Sequence, residues 1–224
     1  MQLVIRSLVS ALAGLVALGV VIFVPAGTIA YWQGWVFILV FTACSTLTGI
    51  YLGLKDPALL DRRVKGGPLA ETRPVQKILI TLIIASFFAM TIVSALDFRF
   101  GWSRVPAWVA IAGNALVVLG LYIDLLVLRE NSFSAATIRR MEGQRVITTG
   151  PYAVVRHPMY VGALIMVAGV PLALGSYWGE LFVLVDIPIL VLRILDEEAM
   201  LHQELEGYAD YARGVRSRLV PGLW

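Results

Sequence analysis

From Ser7 to Leu54 the chain runs 48 residues without an Asp, Glu, Lys, Arg or His. A helix needs about 20 apolar residues to cross the hydrocarbon core of a bilayer, so this stretch holds room for two crossings. Three more uncharged runs follow, Ile78 to Leu96 and Val105 to Ile123 at 19 residues each and Pro158 to Gly179 at 22. Apolar character then continues to Leu195, interrupted by Glu180, Asp186 and Arg193. The sequence therefore predicts five membrane spans and a sixth in that last stretch. With 59% hydrophobic and 15% charged residues, against roughly 25% charged in an average soluble domain, it excludes both an ordinary soluble globule and a disordered chain. A single cysteine, Cys44, excludes a disulfide framework or a multi-cysteine metal site and is read as packing. The apolar run after Arg6 is too long for a secretory signal and reads as a retained helix.

Charge placement orients these spans. The first helix is expected over about Leu8 to Pro25, with Tyr31, Trp32 and Trp35 as an aromatic belt at the interface where the chain turns back into a second helix ending near Leu54. Lys55 to Lys77 then carries six basic residues, and Gly66, Gly67, Pro68 and Pro74 break any long helix there. Alternate connections are basic, so that 16 of the 18 Lys and Arg fall on one face and only Arg99 and Arg104 on the other. The positive-inside rule then predicts both termini in the cytosol, an even number of crossings, and a last pair forming a hairpin that turns between Pro171 and Gly179. The formal charge of +3 is explained by this topology, without a basic stripe for nucleic acid. Gly113 and Gly120, seven apart, mark a face for close helix packing. The expected fold is all-α, a polytopic transmembrane helical bundle, with four spans in residues 1–128 and a cytosolic loop, terminal membrane hairpin and amphipathic helix in residues 129–224.

The polar residues collect in two places. Arg129 to Tyr160 is the longest polar stretch; within it Gly150-Pro151-Tyr152 makes a tight turn, and Pro158 opens a membrane helix directly after Arg156 and His157. Proline suits the first helical position, and the unsatisfied donors and positive dipole end there favour an anion beside Arg156. The second cluster, Asp196-Glu197-Glu198, follows the last apolar run and precedes Leu201, Leu205, Tyr208 and Tyr211, whose spacing predicts an amphipathic cytosolic helix. Three adjacent carboxylates at a membrane boundary call for a compensating cation. The proposed hairpin brings the two clusters to one end of the bundle.

Arg156-His157-Pro158-Met159-Tyr160, preceded by Gly150-Pro151-Tyr152 and followed by Glu197-Glu198, Gly207-Tyr208-x-x-Tyr211 and Arg218-Leu219-Val220-Pro221, resembles the isoprenylcysteine carboxyl methyltransferase superfamily. The related phospholipid N-methyltransferases share the pattern. The resemblance covers roughly Asn131 to the C-terminus and implies an integral-membrane methyltransferase that uses S-adenosyl-L-methionine, with a cofactor pocket built from the terminal hairpin and its flanking cytosolic segments. It implies Gly150, Tyr152, Arg156, His157, Tyr160, Glu197 and Glu198 as cofactor-binding residues, with Arg156 and Glu198 as the catalytic pair, and a lipid, prenylated or other hydrophobic acceptor entering from the bilayer. Arg156 would meet anionic or polar groups, and either glutamate the ammonium. On this basis Arg156→Ala and Glu198→Ala are each expected to weaken cofactor binding without unfolding the protein, and Arg63→Ala to do little.

Plainer readings stand beside these. Arg156 alone would be an interfacial anchor, and His202, one turn after Glu198, reads as solvated. Asp124 is about one turn from Arg129 and is expected to pair with it or to snorkel, whereas Asp186 either lines the hairpin pocket or accepts from donors freed by Pro188. Asn131, Ser132 and Ser134 either contact a ligand or are polar loop. The Arg-His-Pro-x-Tyr segment also resembles NADPH-dependent membrane reductases of the sterol type, which usually place Asn where Met159 stands. A membrane transporter or scaffold is the third class, for which Asp124 and Asp186 are the hints.

Overall fold

The computed structural model describes residues 2–134 and 143–224. Arg139 and Arg140, counted above among the basic loop residues, lie outside the described residues. The described chain is all helical: α1 (Gln2–Ala26), α2 (Trp32–Lys55), α3 (Pro57–Val64), α4 (Pro74–Phe100), α5 (Ala107–Glu130), α6 (Pro158–Ala173), α7 (Glu180–Glu204) and α8 (Tyr208–Gly214), with short 3-10 turns at Pro68–Ala70 and Gly150–Ala153. Four of these, α1, α2, α4 and α5, are long and apolar enough to cross a membrane. Their outer faces carry exposed Val, Leu and Ile, as a lipid-facing surface requires.

The terminal hairpin differs from its sequence expectation. The 22-residue apolar run yields a 16-residue α6, because Pro171 and the left-handed Gly175 (φ 72°) end it early. At 1.5 Å per residue α6 is about 24 Å long, short of the roughly 30 Å hydrocarbon core. Its partner α7 is 25 residues long and bears Asp186 and Arg193 within it. The expected amphipathic helix through Leu201 and Tyr211 is likewise two pieces. Helix α7 continues through the acidic triplet to Glu204, and Gly207 (φ 82°) turns the chain so that Tyr208 and Tyr211 stand on α8.

What fixes the hairpin on the bundle is a row of glycines. A Cβ on Gly120 would lie 2.4 Å from the Gly162 carbonyl oxygen, and one on Gly169 would lie 2.6 Å from the Gly113 carbonyl oxygen. Gly113 and Gly120 of α5 thus meet Gly169 and Gly162 of α6 in antiparallel register, backbone against backbone. Packing without side chains between the helices is how membrane helices associate where burial from water offers no driving force.

On its other side α7 packs against α4, whose Thr91 and Ser94 hydroxyls donate to the carbonyls of Phe87 and Met90 at 2.8 Å each. In hydrocarbon such back-bonding satisfies hydroxyls that water cannot reach. At the end of the bundle where α6 turns into α7, the buried Asp97 accepts from Ser103 N at 2.6 Å, Ser103 Oγ at 2.7 Å and Ser176 Oγ at 2.6 Å, and the Tyr31 hydroxyl donates to the Leu174 carbonyl. The basic loop of residues 55–77 lies at the opposite end with the start of α6. It is more ordered than its glycines and prolines suggest, since Asp56 caps α3 by accepting from Leu59 N at 2.9 Å and Pro57 occupies the first turn.

Candidate active site

The C-terminal tail folds back over the start of α6. Arg156 N donates to the Ser217 carbonyl and His157 N to the Arg218 carbonyl, both at 3.0 Å. Pro158, next in line, has no N–H to satisfy. The backbone donors just before this helix therefore serve the tail. The Arg156 guanidinium does the same, since Nη1 donates to the carbonyls of Arg216 at 2.8 Å, Val215 at 3.0 Å and Ala212 at 3.4 Å.

The remaining edge of Arg156 holds Glu198. Arg156 Nε approaches Glu198 Oε1 at 2.6 Å, His157 Nε2 lies 3.1 Å from the same oxygen, and Arg218 Nε reaches Oε2 at 2.9 Å. Glu198 lies in the polar part of α7 beyond the apolar run and is only 5% exposed. Burial alone would raise its pKa, but the bonds from His157, Arg156 and Arg218 outweigh that and hold it down at about 2. An ionised Glu198 accepts only, so His157 Nε2 carries a proton toward it, while Nδ1 lies 3.9 Å from Glu197 Oε2.

Glu197, one residue earlier and about 100° around the helix, sits differently. Its Oε2 accepts from the Tyr160 hydroxyl at 2.7 Å, while its Oε1 accepts no hydrogen bond among the described residues. Tyr160 is in turn held by Arg193, whose Nε donates to the Tyr160 oxygen at 3.1 Å. Arg193 extends further to Gln76 Oε1 at 2.7 Å and Glu71 Oε1 at 3.2 Å. Beside it Asp196 is fixed by Arg73 Nη2 and Gln76 Nε2, both at 2.6 Å. Glu71, Arg73 and the first turn of α4 thus brace the acidic end of α7.

Between these groups lies a cavity of about 360 Å³, within the roughly 300 to 1,000 Å³ range of small-molecule sites. Of the residues singled out from the sequence, Tyr152, Arg156, His157, Tyr160 and Glu197 line it together with Asn131 and Ser134. Gly150 and Glu198 stand behind the wall. Gly150, in a left-handed conformation (φ 57°) that favours glycine, makes the turn that presents Tyr152, and a Cβ there would lie 3.1 Å from the Glu130 side chain. Asn131 Nδ2 donates to the Tyr152 hydroxyl at 2.9 Å, and Ser132 offers its carbonyl to Arg62 at 2.6 Å. Tyr211 donates to the Tyr152 carbonyl at 2.7 Å. Burial pushes the Tyr152 hydroxyl up to about 12 and raises Tyr208 and Tyr211 as well, so these three stay protonated at neutral pH.

Several placements differ from the sequence reading. The charged neighbour of Asp124 is Arg63, whereas Arg129 stacks on the Tyr51 ring 5.8 Å away. Arg63 itself lines the cavity. Asp186 is buried away from the cavity beside Ser86, and its Oδ1 accepts no hydrogen bond among the described residues. His202 is solvent-exposed, with its ring edge-on to Tyr208. Arg193, Arg63, Glu71 and Gln76 are the residues that sequence reasoning missed. Only Arg193 announced itself, as an arginine inside an apolar run.

Residues 108–206 match the family model described as phospholipid methyltransferase. Over this segment the chain is phospholipid-methyltransferase-like. The match supports a membrane methyltransferase of the superfamily that the motifs resemble, and it spans nearly all of α5, the whole of α6 and α7, and the cavity wall from Asn131 to Leu205. Arg63, Glu71, Arg73, Gln76 and the tail carbonyls lie outside it. No curated protein matches the chain.

Proposed function

We propose that this protein binds S-adenosyl-L-methionine in the 360 Å³ cavity and methylates a hydrophobic or lipid-like acceptor at the cytosolic membrane face. The observation that carries the reading is Glu197, a carboxylate on the cavity wall with one oxygen held by Tyr160 and the other without a partner among the described residues. Such a group suits the ammonium of the cofactor. His157 Nδ1 and the hydroxyl and ring of Tyr160 are the neighbouring polar contacts, stacked at 5.6 Å between ring centroids. Bound there, the cofactor supplies an electrophilic methyl on a sulfonium.

The contribution of the chain is placement. Alignment of nucleophile, methyl and leaving sulfur accounts for most of the rate of such a displacement, and a rigid wall provides it. Arg193 fixes Tyr160, Tyr160 fixes Glu197, and Arg156 ties Glu198 to the tail. Protonated tyrosines on the wall donate hydrogen bonds and take no proton from an acceptor. A carboxylate or phosphate acceptor, already ionised at neutral pH, needs none removed. The strongly basic loops at this end of the bundle support a cytosolic site and cytosolic termini.

Calorimetric titration of the detergent-purified protein with S-adenosylhomocysteine tests this. The wild type is expected to bind, and Glu197→Gln to bind about ten- to a hundredfold more weakly, the loss of one charge-assisted contact. A folded wild type that does not bind overturns the reading and points to nicotinamide cofactors, to be titrated next.

A further inference from the structure

The C-terminal tail carries three arginines, and they are not equivalent. Arg213 pairs with the exposed Asp210, and Arg216 contributes its carbonyl to Arg156. Arg218 turns its guanidinium inward, with Nε 2.9 Å from Glu198 Oε2. Arg156 and His157 both meet Oε1, so Arg218 is the partner of Oε2 among the described residues. Its side chain is 28% exposed. Holding a long, partly wet side chain in one pose costs rotamer entropy that a single ion pair barely offsets. A second contact is therefore needed to keep it in place.

Trp224 supplies that contact. Its ring faces the guanidinium, with Arg218 Cζ 5.1 Å from the ring centroid, inside the roughly 6 Å reach of a cation–π contact. The main chain sets the ring there. Arg218, Leu219 and Val220 N–H all donate to the Trp224 main-chain oxygen, at 2.9, 3.0 and 3.1 Å. Gly222 (φ 77°) gives the left-handed step that closes this turn, and its N–H donates to Ser217 Oγ at 3.1 Å. Beyond Glu198 the contacts run on to the cavity, since Oε1 lies 3.1 Å from His157 Nε2 and the His157 ring stacks on Tyr160. His157 and Tyr160 line the cavity, whereas Trp224 and Arg218 do not. We propose that Trp224 is a remote positioning residue of the site, acting through Arg218 and Glu198 on the His157 ring. A turn that only capped the bundle would need apolar bulk at this position and not the face of a ring. The proposal rests on the S-adenosyl-L-methionine reading for the ligand it affects; the hold on His157 can be tested without it.

The test uses the full-length protein in detergent, titrated calorimetrically with S-adenosylhomocysteine, and follows hydrogen exchange of the His157 amide by mass spectrometry without ligand. Trp224→Leu keeps apolar bulk but removes the ring face, and should weaken binding about two- to fivefold. Trp224→Phe restores a ring and should bind within about twofold of the wild type. Arg218→Gln should weaken binding at least as much as Trp224→Leu, and combining the two should cost nothing further, because the ring acts through the guanidinium. Leu223→Ala, which trims an exposed side chain of the same turn, should leave binding unchanged. The His157 amide, which donates to the Arg218 carbonyl, should exchange faster in Trp224→Leu and at the wild-type rate in Trp224→Phe. Equal affinity of the Leu and Phe variants overturns the proposal, as does further weakening in the double variant. Where Trp224→Leu does not fold, Arg218→Gln decides, and unchanged affinity there overturns the proposal as well. A wild type that binds no S-adenosylhomocysteine removes the methyltransferase reading; the hold on His157 then stands if the Leu and Phe variants still differ in exchange, and falls if they do not.

Discussion

The two ends of the helical bundle each bury a carboxylate under a network of hydrogen bonds, and the 360 Å³ cavity lies at the Glu198 end. At one end Asp97 takes three bonds from Ser103 and Ser176, all neutral donors on the turns it joins, and the structure closes around it. At the other, Glu198 is met by Arg156, His157 and Arg218, while its neighbour Glu197 lines the cavity with one oxygen unpartnered among the described residues. A buried polar network is therefore a joint in the first case and the frame of a site in the second. What separates them is donors and acceptors left over after the fold has been satisfied.

That contrast breaks or sharpens in measurable ways. The largest effect is expected from Arg156→Ala, which strips Glu198 of its closest cation and releases the tail carbonyls. Breaking a buried pair costs about 3 to 5 kcal/mol, and His157 and Arg218 remain to place this variant near the lower figure. Thermal unfolding in detergent should show it, together with faster proteolysis after Val215. A loss of cofactor affinity with unchanged stability would mean that Arg156 serves the ligand and not the tail.

Next in size is Asp97→Ala at the closed end. It leaves three buried donors without their acceptor and should lower stability by about 1 to 3 kcal/mol. S-adenosylhomocysteine affinity should be unaltered, because no cavity residue touches Asp97. If affinity falls as well, the two ends are coupled through α4 and α7, and the division drawn here fails.

The smallest effect is a pH dependence. The carboxyl of Glu198 is held at about 2 against an ordinary value of 4.5, so its folded pKa is depressed. Its contribution is then fully present above roughly pH 5 and is lost as the pH falls toward about 2. The difference in unfolding midpoint between the wild type and Glu198→Gln should shrink across that window. A constant difference would show that Glu198 does not titrate with the tail.

Much of the fold was legible because the signals are local. The uncharged runs gave the existence and order of α1, α2, α4 and α5, although α1 begins at Gln2 instead of about Leu8 and α5 continues past Ile123 to Glu130, and the seven-residue spacing of Gly113 and Gly120 gave the face on which α6 packs. The same spacing in Gly162 and Gly169 completes that seam. The start of α6 and the acidic triplet of α7 were legible as clusters but not as partners. Adjacent residues on a helix point about 100° apart, so the sequence could not tell that Glu198 turns inward to Arg156 while Glu197 faces the cavity. Arg63 was no more legible, since it stands among six basic residues that all satisfy the same topological rule.

The sequence by itself determined a helical membrane protein, the ends at which its loops lie, and the two polar segments that meet. Hydropathy, charge bias and turn residues are properties of short stretches, and the bilayer filters them before any tertiary contact forms. Tertiary structure alone decided that Arg63 answers Asp124, that Glu71 and Gln76 brace Arg193, and that the tail takes up Arg156. Those pairings join residues from 56 to 122 positions apart in the chain. Each charge had several opposite charges available to it, and only the packing of α5, α6 and α7 settled which came within reach.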